Sequence, residues 1–184
     1  DGLEDIYICD VGGLPNQLYL QRPDGTVTDH SQESDADWLD YTSSALLIDL
    51  DNDGDQDLVV ATYLFLLFAE NDGTGHFELR GGHKAVHRPS SLCAADHDVD
   101  GDVDIYICSY GIQSGGLGSP RFNNVHPVPF HDANNGGVNA LLDNRGKFRF
   151  VDVTDQVGLD ENNSRWSFAA AWDDYDNDGD PDLS

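Results

Sequence analysis

Acidic side chains at alternate positions around one glycine are the feature of this sequence best suited to chemistry. Residues 49–57 read Asp-Leu-Asp-Asn-Asp-Gly-Asp-Gln-Asp, with the glycine, Gly54, at position 6. Alternating carboxylates can point into one concave turn, and a central glycine permits a backbone conformation with positive φ. This pattern predicts a Ca²⁺ site in which positions 1, 3, 5 and 9 supply carboxylate oxygens and position 7 supplies a carbonyl.

The same nine-residue pattern recurs at residues 96–104 and 174–182. Residues 1–5 match positions 5 to 9 of a further copy that lacks positions 1 and 3. Three complete copies predict about three Ca²⁺ sites. The candidate metal ligands are Asp49, Asp51, Asp53, Asp55, Asp57, Asp96, Asp98, Asp100, Asp102, Asp104, Asp174, Asp176, Asp178, Asp180 and Asp182.

The residues that flank these loops distinguish between two classes of Ca²⁺ loop. An EF-hand also begins D-x-D-x-D-G, but it requires an acid at position 12 and a helix on either side. Position 12 is Val60 in the first copy and Ile107 in the second. The flanking runs 45–48, 58–61 and 105–108 are apolar and rich in β-branched residues, which is typical of buried strands. Each loop is therefore predicted to join two strands.

The spacing of the loops predicts a repeated four-stranded unit. The position-5 residues Asp53 and Asp100 are 47 residues apart, within the range of about 40–50 residues found in propeller blades. Each interval also contains a further apolar run, a glycine turn such as Asp72-Gly73, and a last strand, which is residues 76–79 in one interval and 147–151 in the next. These elements predict an all-β fold, a partial β-propeller of four-stranded antiparallel blades with the Ca²⁺ loop between the first and second strands.

Two complete and two incomplete blades are predicted along the chain. Residues 1–40 and 166–184 form the incomplete blades, and residues 43–88 and 89–158 the complete ones. Closed propellers have roughly four to eight blades, and the sequence contains no methionine. We therefore expect a piece of a longer propeller. The alternative is self-association, in which the C-terminal strand completes the N-terminal blade of another copy.

An insertion at residues 111–137 lengthens the second complete blade. It contains His126, His131 and Asp132, and either histidine could act as a base in a carbohydrate-active enzyme. The sequence contains no nucleophile elbow, H-E-x-x-H motif or C-x-x-C motif. It therefore favours a protein that is not an enzyme, and a loop that caps the sheet is the simpler interpretation of the insertion.

The composition argues against nucleic-acid binding and against insertion into a membrane. The formal net charge is −26, with 35 acidic residues against nine Lys and Arg, and such a surface repels nucleic acid and anionic membranes. Three divalent ions would change this charge from −26 to −20. The longest apolar run, residues 63–69, is predicted to be a strand and is far shorter than the roughly 18 residues of a membrane span.

Three cysteines leave the redox state open. Cys93 and Cys108 lie on the strands predicted to flank the second loop, where a cross-strand disulfide is one possibility and buried thiols are the favoured one. Cys9 occupies the same repeat position as Cys108, which indicates a packing role.

The loops, together with residues 166–172 (Trp-Ser-Phe-Ala-Ala-Ala-Trp) ahead of the third copy, resemble the FG-GAP or VCBS-type repeats of integrin-α-like β-propellers. Residues 139–148, followed by 151–154 and Gly158-Leu159, are similar to cartilage acidic protein-like proteins that carry an ASPIC/UnbV domain, although that domain is not visible here. The resemblance implies a usually seven-bladed propeller in a secreted, cell-surface or periplasmic protein, with Ca²⁺ in the blade loops. It also implies adhesion to an unknown protein or glycan ligand.

Overall fold

The computed structural model describes residues 2–84, 88–111, 127 and 129–184, and it contains strands but no helix in those ranges. No helix among these residues is therefore long and apolar enough to cross a membrane. The strands are β1 (Ile6–Ile8), β2 (Gln17–Gln21), β3 (Val27–Asp29), β4 (Thr42–Ile48), β5 (Asp57–Thr62), β6 (Phe65–Asn71), β7 (Phe77–Lys84), β8 (Pro89–Ala95), β9 (Asp104–Ser109), β10 (Ala140–Asn144), β11 (Phe150–Asp152), β12 (Trp172–Asp173) and β13 (Asp182–Leu183).

The strands form four antiparallel sheets that follow one another along the chain. The first sheet has the order β1-β2-β3, the second β4-β5-β6-β7, the third β8-β9-β10-β11 and the fourth β12-β13. Neighbouring strands in each sheet are also neighbours in sequence, as expected of an antiparallel meander. The predicted all-β class and the four-stranded antiparallel sheets are confirmed.

The middle strands are apolar because both of their faces are covered. Every residue of β5, β9 and β10 is buried, so these strands have continuous apolar runs instead of the alternation expected of a half-exposed strand. Cys108 is buried within β9, and all three cysteines are free thiols. This agrees with the favoured interpretation, in which the cysteines pack as apolar side chains.

Three apolar clusters join each sheet to the next one. Residues of the first and second sheets share one cluster, the second and third share another, and the third and fourth share the last. Between the second and third sheets, the rings of Phe68 and Phe150 stack with centroids 4.3 Å apart. The first strands β4, β8 and β12 also contact one another in succession. The sheets therefore stack face to face in chain order.

Two strands begin at least two residues later than the sequence predicts, and each has a local cause. The run predicted as a strand over residues 63–69 begins as β6 only at Phe65, because Tyr63 and Leu64 form the turn after β5. The last strand predicted over residues 147–151 begins at Phe150. Lys147 and Phe148 both have φ of 55°, a left-handed conformation that cannot continue a strand.

Candidate metal centre

Three loops of identical length connect the first and second strands of the second, third and fourth sheets. Residues 49–57 form loop 1, residues 96–104 form loop 2 and residues 174–182 form loop 3. In each loop, positions 4 and 6 have positive φ, with values of 63° and 98° in loop 1, 59° and 98° in loop 2, and 63° and 99° in loop 3. Position 4 of loop 2 is Val99, a β-branched residue that disfavours this conformation. The rest of the loop must therefore impose it.

Backbone N–H groups hold the first and last aspartates of each loop in the same way. The N–H of position 6 donates to the carboxylate of position 1, and the N–H of position 2 donates to Oδ2 of position 9. The first contact joins Gly54 to Asp49 at 3.1 Å, Gly101 to Asp96 at 2.9 Å and Gly179 to Asp174 at 3.2 Å. The second contact joins Leu50 to Asp57, His97 to Asp104 and Tyr175 to Asp182, each at 2.9 Å.

In loops 1 and 2, the position-9 aspartate also ties the loop to the third strand of its sheet. Asp57 Oδ1 accepts the N–H of Asn71 at 2.9 Å, and Asp104 Oδ1 accepts the N–H of Asn144 at 2.8 Å. In the first sheet, Asp5 Oδ1 accepts the N–H of Gln21 at 2.8 Å, so Asp5 occupies position 9 of the incomplete copy. These bonds are charge-assisted and fix the loop against a rigid element.

The structure brings together three carboxylates in each loop. They come from positions 1, 3 and 5 in loop 1 and from positions 1, 3 and 9 in loops 2 and 3. In each set, oxygens of all three residues lie within 4.8 Å of one another. The sets are Asp49, Asp51 and Asp53 in loop 1; Asp96, Asp98 and Asp104 in loop 2; and Asp174, Asp176 and Asp182 in loop 3. The predicted ligands outside these sets are Asp57 in loop 1, Asp100 in loop 2, Asp178 in loop 3, and the position-7 residues Asp55, Asp102 and Asp180. A position-7 residue was expected to contribute its carbonyl oxygen.

Loop 1 encloses carboxylate oxygens that have no hydrogen-bond donor. The Oδ1 atoms of Asp49, Asp51 and Asp55 are shielded from solvent, and none has a hydrogen-bond partner. A buried anionic oxygen without a partner is costly, and buried charges are normally paired or coordinate a metal. Several hard oxygen atoms that converge without donors are the ligands that Ca²⁺ prefers. The residues of loop 1 therefore fit a bound divalent cation.

Burial and mutual repulsion raise the pKa of several loop carboxylates. For Asp51 and Asp55, burial is the largest cause of the raised pKa, and the negative charge of Asp53 is the next largest. Burial also raises the pKa of Asp57 to about 6 and raises that of Asp104. All of these carboxylates are therefore harder to ionise than in water, and a cation would offset that cost.

Loops 1 and 2 also contact each other through asparagine side chains. Asn52 Nδ2 donates to Asp102 Oδ1 at 2.8 Å. Asn144, buried in β10, donates from Nδ2 to the carbonyl of Leu50 at 2.9 Å and to that of Val103 at 3.2 Å. Sequence reasoning missed these residues. The available signal was an asparagine two positions before the hairpin glycine in both complete sheets, Asn71 before Gly73 and Asn144 before Gly146.

The insertion at 111–137 falls largely outside the described residues, and His126 is among those not described. His131 is exposed. Asp132 Oδ1 pairs with Arg165 Nη2 at 3.0 Å, which gives this acid a structural partner in the connection that follows the third sheet. The proposed base function of His126 or His131 stays a prediction.

A comparison with protein families identifies the repeat. The family model for FG-GAP-like repeats matches residues 1–60 and again residues 49–107. The chain belongs to the FG-GAP-like repeat family. The FG-GAP-type resemblance inferred from the sequence is confirmed. A search of curated proteins finds no match.

Membership fits the geometry described above. FG-GAP-like repeats often bind Ca²⁺ and are typical of extracellular proteins. Loop 1 lies within both matched ranges and loop 2 within the second. Loop 3 lies outside them, yet it has the same positive-φ positions and the same two backbone-to-carboxylate bonds as loops 1 and 2.

Proposed function

We propose that loops 1, 2 and 3 each bind one Ca²⁺ ion. The carboxylates of positions 1, 3, 5 and 9 and the carbonyl of position 7 would form the oxygen shell. The observation that carries this proposal is the pair of enclosed, unpartnered Oδ1 atoms of Asp49 and Asp51, which are positions 1 and 3 of loop 1. The two other loops support it, because their backbone holds the position-1 and position-9 carboxylates in the same way.

The proposed role of the ion is to stabilise and rigidify the end of each sheet. A ligand that binds only the folded state stabilises it by RT ln(1 + [L]/Kd), about 2.7 kcal/mol per site at 100 times Kd. Repulsion among the loop carboxylates is removed at the same time. Because Asp57 and Asp104 also bond to the third strand of their sheets, an ion in the loop would restrain three strands at once.

The module that these ions support is a part of a β-propeller with a binding role. In this proposal, residues 1–40, 43–88, 89–158 and 166–184 are successive blades, with the insertion at 111–137 in the third. The stacking of sheets in chain order supports it, as do the contacts between successive first strands. The proposed setting is extracellular, on the cell surface or periplasmic. The proposed activity is recognition of a protein or glycan, without catalysis. The similarity of residues 139–148 to cartilage acidic protein-like proteins supports this role.

Calorimetric titration of the purified chain with Ca²⁺, after exhaustive chelation, tests the proposal. We expect uptake of about three ions and a rise in the melting temperature that a chelator reverses. The same titration with Mg²⁺ is the control, since Mg²⁺ demands a smaller octahedral shell and gives up its waters reluctantly. Absence of Ca²⁺ uptake, or a melting temperature that does not change on chelation, would refute the proposal.

A further inference from the structure

A second group of metal-binding side chains lies beside loop 2. The imidazole of His97 and the carboxylates of Asp98 and Asp143 each offer a ligand atom, and these three atoms lie within 4.8 Å of one another. Two of the three side chains are well enclosed, since Asp143 is 3% exposed and the His97 side chain 14%. The group combines a residue from β10 with two residues from the loop, so that both the sheet and the loop position it.

The free nitrogen of His97 is the observation that points to a ligand. His97 Nε2 is shielded from solvent and has no hydrogen-bond partner. Its closest recorded carboxylate contact is Asp104 Oδ2 at 4.0 Å, which is too long for a hydrogen bond. A buried polar atom is normally paired, so an enclosed imidazole nitrogen facing carboxylates suggests a missing electron-pair acceptor. A divalent metal ion is such an acceptor.

The nitrogen donor is specific to loop 2. The bond from the position-2 N–H to the position-9 carboxylate shows that Leu50 and Tyr175 are the counterparts of His97 in loops 1 and 3. Neither of them offers nitrogen. The counterpart of Asp143 in the second sheet is Glu70, because each of the two acids precedes the asparagine that bonds to position 9. Loop 1 therefore has a matching acid but lacks the imidazole.

The donor set differs in chemistry from that of a Ca²⁺ loop. Ca²⁺ takes oxygen ligands alone, whereas one imidazole with two carboxylates suits a transition-metal ion such as Zn²⁺, with a fourth position left for water. Arg145 forms an ion pair with Asp143. This contact fixes the orientation of the carboxylate, as residues that bond to metal ligands commonly do. The other titratable groups close to Asp143 are Asp98, Asp100 and His97.

We propose that the imidazole of His97 and the carboxylates of Asp98 and Asp143 form a binding site for a divalent transition-metal ion of the Zn²⁺ class, next to the cation site of loop 2. Asp98 also belongs to the carboxylate set of Asp96 and Asp104, so it can contribute one oxygen to each of two neighbouring ions. The proposal does not depend on occupancy of the other loops. It predicts that the two sites of loop 2 respond to different metals and to different substitutions.

The test is a Zn²⁺ titration of the full chain with Ca²⁺ held at saturating concentration. His97→Leu copies the residue that loop 1 carries at this position, so it should preserve packing while removing the nitrogen. We expect this variant to take up one Zn²⁺ fewer than the natural chain and the same number of Ca²⁺ ions, because the backbone N–H of position 2, and not its side chain, holds Asp104. Asp143→Asn should weaken Zn²⁺ binding at this site at least about tenfold. His76→Leu is the matched control, because His76 pairs with Asp35 on the surface at 3.0 Å.

A spectroscopic measurement separates this site from surface binding. Co²⁺ in place of Zn²⁺ should give a visible absorption band that disappears in His97→Leu and persists in His76→Leu. Zn²⁺ affinity and stoichiometry that are the same in His97→Leu as in the natural chain would overturn the proposal. Loss of Zn²⁺ binding in His76→Leu but not in His97→Leu would overturn it equally. Failure of Ca²⁺ to bind any loop, with Zn²⁺ binding intact, would refute only the proposed Ca²⁺ function.

Discussion

Substitution of Asp51 by asparagine separates the repulsion inside loop 1 from the contribution of a bound ion. Oxygens of Asp49, Asp51 and Asp53 lie within 4.8 Å of one another. Two unit charges at that distance repel by about 0.9 kcal/mol at the dielectric constant of water and by about 3.5 kcal/mol at an effective value of 20. In a chelator, Asp51→Asn should therefore raise the free energy of unfolding by about 1–3 kcal/mol.

The same substitution should have the opposite effect on the stabilisation gained from Ca²⁺. At 100 times the natural Kd, one site contributes about 2.7 kcal/mol. A hundredfold weaker site would contribute only about 0.4 kcal/mol at that concentration, a loss of about 2.3 kcal/mol. For a chain of this size, that loss corresponds to a decrease of about 5–9 °C in the Ca²⁺-induced shift of the melting temperature.

Urea unfolding and thermal melts, each with and without Ca²⁺, measure the two effects. Asp72→Asn is the control because it removes the same charge from the hairpin turn of the second sheet, where Asp72 Oδ1 accepts the N–H of Thr74 at 2.9 Å. The control should leave the Ca²⁺-induced increment unchanged. Our account of loop 1 would be refuted if Asp51→Asn destabilised the chelated protein, or if its Ca²⁺-induced increment equalled that of the natural chain.

Three further predictions concern buried groups. Asn144→Ala should lower the free energy of unfolding by about 2–4 kcal/mol in urea titrations, because it leaves the buried carbonyl of Leu50 and the partly buried carbonyl of Val103 without their donor. An effect below about 1 kcal/mol would contradict this. In the presence of a chelator, the free energy of unfolding should rise as the pH falls from about 7 to about 5. The pKa of Asp57 is about 6 in the folded state and about 3.9 in the unfolded state. The folded state therefore binds the proton at a higher pH than the unfolded state, so protonation favours folding. The dependence of the free energy of unfolding on pH should weaken in Asp57→Asn. An unchanged dependence would show that other groups cause it. Burial raises the pKa of Cys93 to about 11, so iodoacetamide at pH 8 should label it many times more slowly in the folded than in the unfolded chain. Equal rates would show that the thiol is not protected.

The local part of this architecture could be predicted from the sequence, because it is encoded within short windows. The nine-residue pattern and its apolar flanks specify a strand, a turn and a second strand without reference to distant residues. The glycine turns mark the hairpins for the same reason. Gly25, Gly73 and Gly146 all have positive φ, as the hairpin interpretation requires.

The contacts between sheets could not be predicted in the same way. Asn144 bonds to the carbonyl of Leu50 across 94 positions of sequence, and no local pattern encodes a pair at that separation. The sequence shows His97 only as a residue between two aspartates, because its proposed role depends on Asp143, which the antiparallel pairing of β9 with β10 brings close to it. The sequence predicts Lys147 and Phe148 as strand residues, since nothing in their side chains signals a left-handed backbone.

The same long-range contacts make it unreasonable to treat the loops as independent sites. Asn52 of loop 1 bonds directly to Asp102 of loop 2, and Asn144 joins the backbone of both loops while it also fixes Asp104. An ion that orders loop 1 therefore restrains groups that position the carboxylates of loop 2. Because each sheet also packs on the next through a shared apolar cluster, the stability of one repeat includes a contribution from its neighbour, as in other repeat proteins. Cation binding in successive loops is then expected to be cooperative, and the interfaces between sheets would carry the coupling.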